Sequence, residues 1–378
     1  MTPSSPSPLS SSQPVEISWF SALCDDDYQF LGVPDASLAS SWQHCADIVG
    51  AADRHGYDNV LLPSGYALGI DSTAFAAAVA THTTNIHLLL AVRMGEMWPP
   101  QLARQLATID QFAGGRLTIN IISSDMPGES LESAPRYQRT REWMQSLRAL
   151  LNGQHLELHG EFVDFDLDPA RVHTVSGTCP PFYFGGFSDD AKDVAAAQAD
   201  VFLTWPDTVA SVGATVDEMN LRATAYERAL VCGLRAHVIV RETEAQARAA
   251  ADRLVSRLDD QVGAAIRGKS LDSASVGVQR QAALRESATD DGYVEANLWT
   301  GVGRARSGAG AAIVGDPDQV LAKLHAYRDA GVGAFILSGY PHVDECDLFA
   351  RYVLPAIDHA PLKPRWAAAR TELASDVT

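Results

Sequence analysis

Arg235 and His237 stand two residues apart in the segment LRAHVIVRET, a spacing that places both on one face of a strand. A second basic pair, Arg304 and Arg306, lies in GVGRARSGAG; Trp205 ends FLTW, and LSGYPH supplies Tyr340 and His342. A planar guanidinium fork matches the tetrahedral oxygen face of a sulfonate or phosphate, and imidazole and phenol groups can donate or shuttle protons. Gathered in one pocket, these side chains would bind an anionic substrate and manage a proton. Taken singly, each has a plainer reading: Arg235 paired with a buried carboxylate, His237 a satisfied core residue, Trp205 packing, Tyr340 capping a loop.

A second signal is PFYFGGFSDDA, residues 181 to 191. Gly185 and Gly186 let a backbone approach a ligand, and Ser188 opens a helix whose free amides can hold a phosphate. Ser188 followed by Asp189 and Asp190 is equally an ordinary helix cap. Two further groups read as solvated surface: His155, Glu157 and His159 on one face of a hairpin, which could instead hold a metal, and the loop Asp25-Asp26-Asp27, which could hold a cation. No metal site is expected. No HExxH, P-loop or G-x-S-x-G elbow is read in the sequence, so hydrolase and kinase readings have no foothold.

Something must bring these scattered residues together. Eight short apolar runs recur along the chain, at 15–20, 60–63, 86–93, 117–122, 182–184, 201–205, 234–240 and 334–338. Between them lie Ala-rich stretches of helical length. Apolar strands alternating with helices imply a parallel sheet covered on its faces, and eight such units favour a (β/α)8 TIM barrel, with a doubly wound open sheet as the alternative. In a barrel, strand ends 6, 7 and 8 place Trp205, Arg235, His237, Tyr340 and His342 around one mouth. Residues 154–168 alternate about a glycine and predict a hairpin. Residues 258–311 interrupt the rhythm after strand 7 and predict a mobile lid over that mouth, carrying Arg304 and Arg306. The barrel domain spans 15–360, flanked by a disordered Ser/Pro-rich tail, 1–14, and a C-terminal tail, 361–378.

Composition removes other classes. Twenty-nine Lys and Arg against 47 Asp and Glu leave a net charge of −18 with no basic stripe, which argues against a nucleic-acid partner. The longest apolar runs fall far short of the ~20 residues needed to span a bilayer, and no signal-peptide pattern opens the chain, so a cytoplasmic protein is expected. Five scattered cysteines without a Cys-x-x-Cys pair argue against a disulfide framework or a thiolate zinc site.

Taken together, these segments resemble the bacterial-luciferase-like flavin monooxygenases and, within them, the two-component alkanesulfonate monooxygenases. ADRHGYDNVLLPSG, QLARQLATIDQFAGGRLTINIIS, PFYFGGFSDDA, FLTW, LRAHVIVRET, NLWTGVGRARSGAG, IVGD and LSGYPH carry the likeness from Ile17 to about Pro355. The resemblance implies a barrel that takes reduced FMN from a separate NAD(P)H-dependent FMN reductase and uses O2 to oxygenate the carbon bearing a sulfonate, releasing sulfite and an aldehyde. It implies that Trp205, Arg235, His237, Arg306 and Tyr340 are catalytic and, with His342, bind substrate. Asn120 would touch the flavin ring, and Tyr137, Gly185, Gly186 and Ser188 its phosphate. It also implies a homo-oligomer, dimer or tetramer. Two departures stand out: the segment GYALGIDS after LLPSG lacks the cysteine common in the alkanesulfonate enzymes, and Phe187 replaces a usual serine. Both are consistent with a larger polar sulfonate such as sulfoquinovose. The competing function is a luciferase-like monooxygenase or deazaflavin-dependent oxidoreductase acting on a substrate without a sulfonate.

Overall fold

A computed structural model describes residues 13–268 and 275–364. The expected N-terminal tail lies outside these residues except for Gln13 and Pro14, as do all but the first four residues of the C-terminal tail and six residues of the expected lid.

The chain runs β1 (Glu16–Phe20), α1 (Trp42–His55), β2 (Asn59–Leu62), α2 (Ser72–Val79), β3 (His87–Arg93), α3 (Pro99–Phe112), β4 (Leu117–Ile122) and α4 (Ser133–Leu151). A hairpin of β5 (Leu156–His159) and β6 (Asp164–Leu167) follows, antiparallel as its alternating pattern predicts. Then come β7 (Phe182–Gly185), α5 (Asp189–Gln198), β8 (Val201–Thr204), α6 (Val209–Thr224), β9 (Val231–Val240) and α7 (Glu244–Val255). The insertion holds α8 (Asp260–Gly268), α9 (Val276–Glu286), β10 (Tyr293–Glu295) and β11 (Leu298–Trp299). The chain closes with β12 (Ala312–Gly315), α10 (Pro317–Asp329), β13 (Val332–Ser338) and α11 (His342–Tyr352).

Eight parallel strands close in the order β1-β2-β3-β4-β7-β8-β9-β13 and back to β1, so the fold is the expected (β/α)8 barrel and not an open sheet. Strand 7 of the barrel, β9, is longer than its apolar run suggests. It begins at Val231, pairing with Val201 of β8 and, through Cys232, with Val332 of β13. Gly233 hides this extension in the sequence; it is there because a Cβ would meet the Leu203 side chain at 2.8 Å. The far half of β9 also pairs with β12, which carries β11 and β10 outward as an extension of the sheet. The insertion is therefore anchored by strand pairing at its end and is more structured than its polar composition implies.

Local signals set the helices. Ser41, Asp71, Ser188 and Thr208 each cap a helix through the side-chain oxygen, and Thr243 and Asp316 form reciprocal capping boxes with Gln246 and Gln319. One apolar layer lies between strands and helices; a smaller one, including Phe20, Leu61, Tyr183 and Ile336, fills the barrel. The bottom is sealed by Leu362, whose amide donates to the buried Glu16 carboxylate (2.8 Å), which also accepts from Tyr183 (2.7 Å). Asp200, just ahead of β8, is a second pin. Its carboxylate accepts the Phe182 amide (2.8 Å) and guanidinium hydrogens of Arg148 (3.1 Å) and Arg228 (3.2 Å), tying β7 to α4 and to the segment after α6.

His87 opens β3 with its Nδ1 against the Asp58 carbonyl (3.2 Å). Burial, with Lys363 nearby, lowers its pKa from 6.5 to about 4. Acidification therefore protonates the unfolded chain first: the stability linked to neutral His87 is complete above pH ~6.5 and is lost as the pH falls towards 4, up to about 3 kcal/mol. Thermal unfolding between pH 7 and 4.5 should show a midpoint that falls less steeply in His87→Gln than in the wild type; equal slopes would refute this.

Candidate active site

Two adjoining cavities open at the carboxyl ends of the barrel strands and share Ile122 and Ser124. The first, 450 Å³, is lined by Asn120 from β4, Tyr137 from α4, Gly185, Gly186 and Ser188 at the β7–α5 turn, Trp205 after β8 and Arg235 from β9. The second, 610 Å³, is lined by Arg306 and Tyr340 together with Cys24, Asp26, Tyr66 and Arg93. The structure thus divides the sequence candidates between two connected chambers. His237 and His342 belong to neither wall; they lie buried beside Tyr340, with ring centroids 5.0 and 5.2 Å from its own.

The β7–α5 turn has the cradle form expected of a phosphate site. A Cβ on Gly185 would meet the Leu203 carbonyl oxygen at 2.4 Å, and one on Gly186 would meet Ala191 at 2.5 Å and the Tyr137 hydroxyl at 3.4 Å. Ser188 caps α5, as its plainer reading has it, and it also stands on the cavity wall. Ser133 and Arg136 complete this end of the chamber and were not singled out from the sequence.

Arg235 has no carboxylate within ion-pair distance among the described residues, contrary to its plainer reading. It donates to the Ala236 carbonyl (2.7 Å) and Ser338 Oγ (2.8 Å), and its guanidinium lies over the Phe20 ring at 4.4 Å. Burial, and then repulsion from Arg306, lowers its pKa to about 9, the state of a cation short of a counter-ion. Ser338 pairs with His237 across β13 and β9, and its hydroxyl also bonds His237 Nδ1 (2.9 Å). Burial and then the Arg235 charge hold His237 well below its ordinary value, so the imidazole is neutral at neutral pH.

Arg306 reaches the mouth from the insertion. It pairs with Asp26 and donates to the Tyr340 hydroxyl (2.8 Å). Burial works against its charge, but Tyr340 and Asp26 outweigh it and raise its pKa. Burial raises the Tyr340 pKa, keeping the phenol protonated. Arg304 does not join this group; it is partly exposed and pairs with Asp260 on α8 (2.9 Å).

The aspartate loop corrects the solvated reading. Asp25 is exposed, but Asp26 is the partner of Arg306, and Asp27 is buried, accepting from the His342 amide (3.0 Å) and lying 2.9 Å from His44 Nε2. Nothing in a run of three acids distinguishes them; only the 280-residue closure of the barrel does. Arg93, pairing with Glu96 (2.9 Å) and bonding Ser124, was also missed. The hairpin histidines pair instead with exposed carboxylates: His155 with Asp166 and Asp168, His159 with Asp164. No metal-binding cluster occurs among the described residues. Contrary to the reading that the sequence has no P-loop, Gly263, Gly268, Lys269 and Ser270 have that spacing; Gly263 and Gly268 lie in the helix Asp260–Gly268 rather than after a strand, and Lys269 and Ser270 lie outside the described residues.

Both departures map to the site. Cys24, from the β1 loop, lies against Gly65, where a Cβ would come within 3.1 Å of its Sγ; burial, with Asp26 adding, pushes that thiol up to about 12. Phe187 packs on Trp205 (5.7 Å) and under the Arg280 guanidinium of α9 (4.7 Å), tying the insertion to the barrel.

The luciferase-like monooxygenase family model matches residues 29–334. The chain is 62% identical over 357 residues to the sulfoquinovose monooxygenase of Novosphingobium aromaticivorans, covering 93% of this chain and 99% of the relative. It is 50% identical over 344 residues to that of Agrobacterium fabrum, covering 90% and 89%. Among solved structures, a riboflavin lyase with modified FMN and riboflavin superposes with TM-score 0.74 at 15% identity, covering 94% and 92% of the two chains. The chain belongs to the luciferase-like monooxygenase family.

Proposed function

We propose that this monooxygenase cleaves the C–S bond of an organosulfonate, sulfoquinovose in the first instance, using reduced FMN and O2 and releasing sulfite and an aldehyde. The observation that carries the reading is the buried guanidinium of Arg235, held beside Arg306 with no carboxylate of its own among the described residues. A buried cation without a partner is costly, and a bound sulfonate supplies the missing charge. The likeness to two sulfoquinovose monooxygenases supports that choice of sulfonate.

The residues present fit a flavin mononucleotide. The glycine cradle at Gly185 and Gly186, the amides at the start of α5, and Arg136 and Tyr137 would hold its phosphate, with Asn120 against the ring. Reduced FMN, when bound, supplies the two electrons that activate O2, one oxygen atom ending in the aldehyde and the other in water. Arg235 and Arg306 bind and orient the sulfonate, and His342 fills out the pocket behind Tyr340. The Tyr340 phenol holds its proton until a developing oxyanion needs it, and neutral His237 can accept one. Trp205 forms the roof with the insertion and keeps bulk water out.

Three further expectations belong to the same reading. Reduced FMN comes from a separate NAD(P)H-dependent reductase in the cytoplasm; no described helix is long and apolar enough to cross a membrane. The barrel, 15–360, acts as one domain with 258–311 as its mobile lid. It works as a homo-oligomer, dimer or tetramer.

The test is sulfite release from sulfoquinovose, alkanesulfonates and taurine in air, with reduced FMN regenerated by a generic reductase. Sulfite from sulfoquinovose is expected; none from any sulfonate, with reduced FMN still bound, would favour a substrate without a sulfonate. The lid has its own test. Gly277 opens α9 against Trp205, and a Cβ there would meet that ring at 2.6 Å and Phe187 at 2.8 Å. Gly277→Ala should seat the lid badly and raise hydrogen peroxide formed per sulfite severalfold, measured in one reaction. An unchanged ratio would mean that water exclusion does not depend on this contact.

A further inference from the structure

The charges clustered at the mouth do not balance. Arg235 and Arg306 are two cations, and among the described residues Asp26 is the carboxylate set against them, in a part-buried ion pair with Arg306. Neighbouring charged groups have hydrogen-bond partners of their own: Arg93 pairs with Glu96, and Asp27 accepts from the His342 amide and lies against His44. Asp25 is exposed and accepts the Ser40 amide. Among the described residues, the cluster of Arg235, Arg306 and Asp26 therefore carries a single net positive charge. Asp26 has a second feature: its Oδ1 is buried and has no hydrogen-bond partner among the described residues.

We propose that Asp26 is a specificity-determining residue, which matches this pocket to a singly charged tetrahedral anion and excludes the doubly charged phosphate monoester of the same shape. The inference rests on the sulfonate reading above. A sulfonate carries one negative charge at any physiological pH, whereas a phosphate monoester, with its second ionisation near pH 6, carries almost two at pH 8. Both present three tetrahedral oxygens, so the guanidinium forks of Arg235 and Arg306 cannot separate them by geometry. Charge can. A sulfonate brings the cluster to neutrality; the second charge of a phosphate would be buried beside a carboxylate already paired with Arg306. Like charges a few ångströms apart in a site shielded from water repel strongly. An ionised carboxylate also has no proton to offer a phosphate oxygen, so the free Oδ1 cannot soften the clash. For a sugar sulfonate this matters, because glucose 6-phosphate presents nearly the same sugar and the same terminal shape.

The experiment measures inhibition of sulfite release from sulfoquinovose by glucose 6-phosphate at pH 8, in the wild type and in Asp26→Asn, with folding checked by circular dichroism. Glucose itself controls for binding of the sugar. Relative to the KM for sulfoquinovose, the inhibition constant for glucose 6-phosphate should fall by about tenfold or more in Asp26→Asn. If that variant does not fold, the wild type decides: the methyl diester of glucose 6-phosphate, bulkier but singly charged, should inhibit more strongly than the monoester. An unchanged ratio in folded Asp26→Asn, or a diester no better than the monoester, overturns the inference and leaves the sulfonate reading standing. No sulfite from sulfoquinovose with the wild type overturns that reading, and the inference with it.

Discussion

Arg235→Met should give a protein that is more stable than the parent and close to inert. Arg235 is 5% exposed, holds its charge with no carboxylate in ion-pair distance among the described residues, and spends its hydrogen bonds on Ala236, Ile336 and Ser338. Replacing such an ion with an apolar side chain of similar length, which can still lie on Phe20, is expected to raise stability by about 1 kcal/mol or more. The same change removes the group proposed to neutralise the sulfonate. Truncating one partner of a buried, hydrogen-bonded charge pair costs about 2–5 kcal/mol, so kcat/KM for sulfite release should drop by roughly 10² to 10³-fold. Thermal unfolding and steady-state sulfite assays on one preparation check both halves. A variant that keeps its activity would remove Arg235 from the site; one that is less stable would show that the guanidinium is structural. Arg235→Lys should recover little, since an ammonium lacks the planar fork.

Asp200→Ala should have the opposite signature, a large loss of stability with the site chemistry intact in whatever protein remains folded. The carboxylate holds the Phe182 amide and the guanidiniums of Arg148 and Arg228, all at the amino ends of β7 and β8, across the barrel from the mouth. Removing it strands an amide and takes the carboxylate from two arginines that also donate to backbone carbonyls, Gln198 for Arg148 and Ala197 and Ala199 for Arg228. Breaking a buried pair by deleting one partner costs about 3–5 kcal/mol. Denaturant unfolding should report that loss, with kcat per folded molecule near the parent value. A loss below about 1 kcal/mol would mean that water replaces the carboxylate at this edge.

How far the site could be read in advance depended on whether a residue's neighbours lie nearby in sequence. Arg235 and His237 were visible because a strand repeats every two residues, and Gly185, Gly186 and Ser188 because a strand-to-helix turn is a local object. Asp26 and Arg93 were not. Each looks like a solvent-facing charge until the residue it meets, Arg306 in one case and Ser124 in the other, is folded onto it. The same limit hid β12 and the long β9. A four-residue apolar run at the end of a polar insertion reads as loop, and Gly233 breaks the pattern of β9, yet pairing with the neighbouring strand makes both part of the sheet.

By itself the sequence determined the architecture and the chemical types at the mouth. Eight apolar runs separated by helices leave a parallel sheet few ways to bury both faces, and the barrel then assigns every strand end to one side. Tertiary structure alone decided the electrostatics: which of three adjacent aspartates meets Arg306, that Arg304 points away to Asp260, that Arg235 stays uncompensated, and that the two histidines stand behind Tyr340. The physical reason is range. Strand and helix patterns arise from the covalent geometry of neighbouring residues, whereas the energy of a buried charge depends on every group within a few ångströms, whatever its distance along the chain.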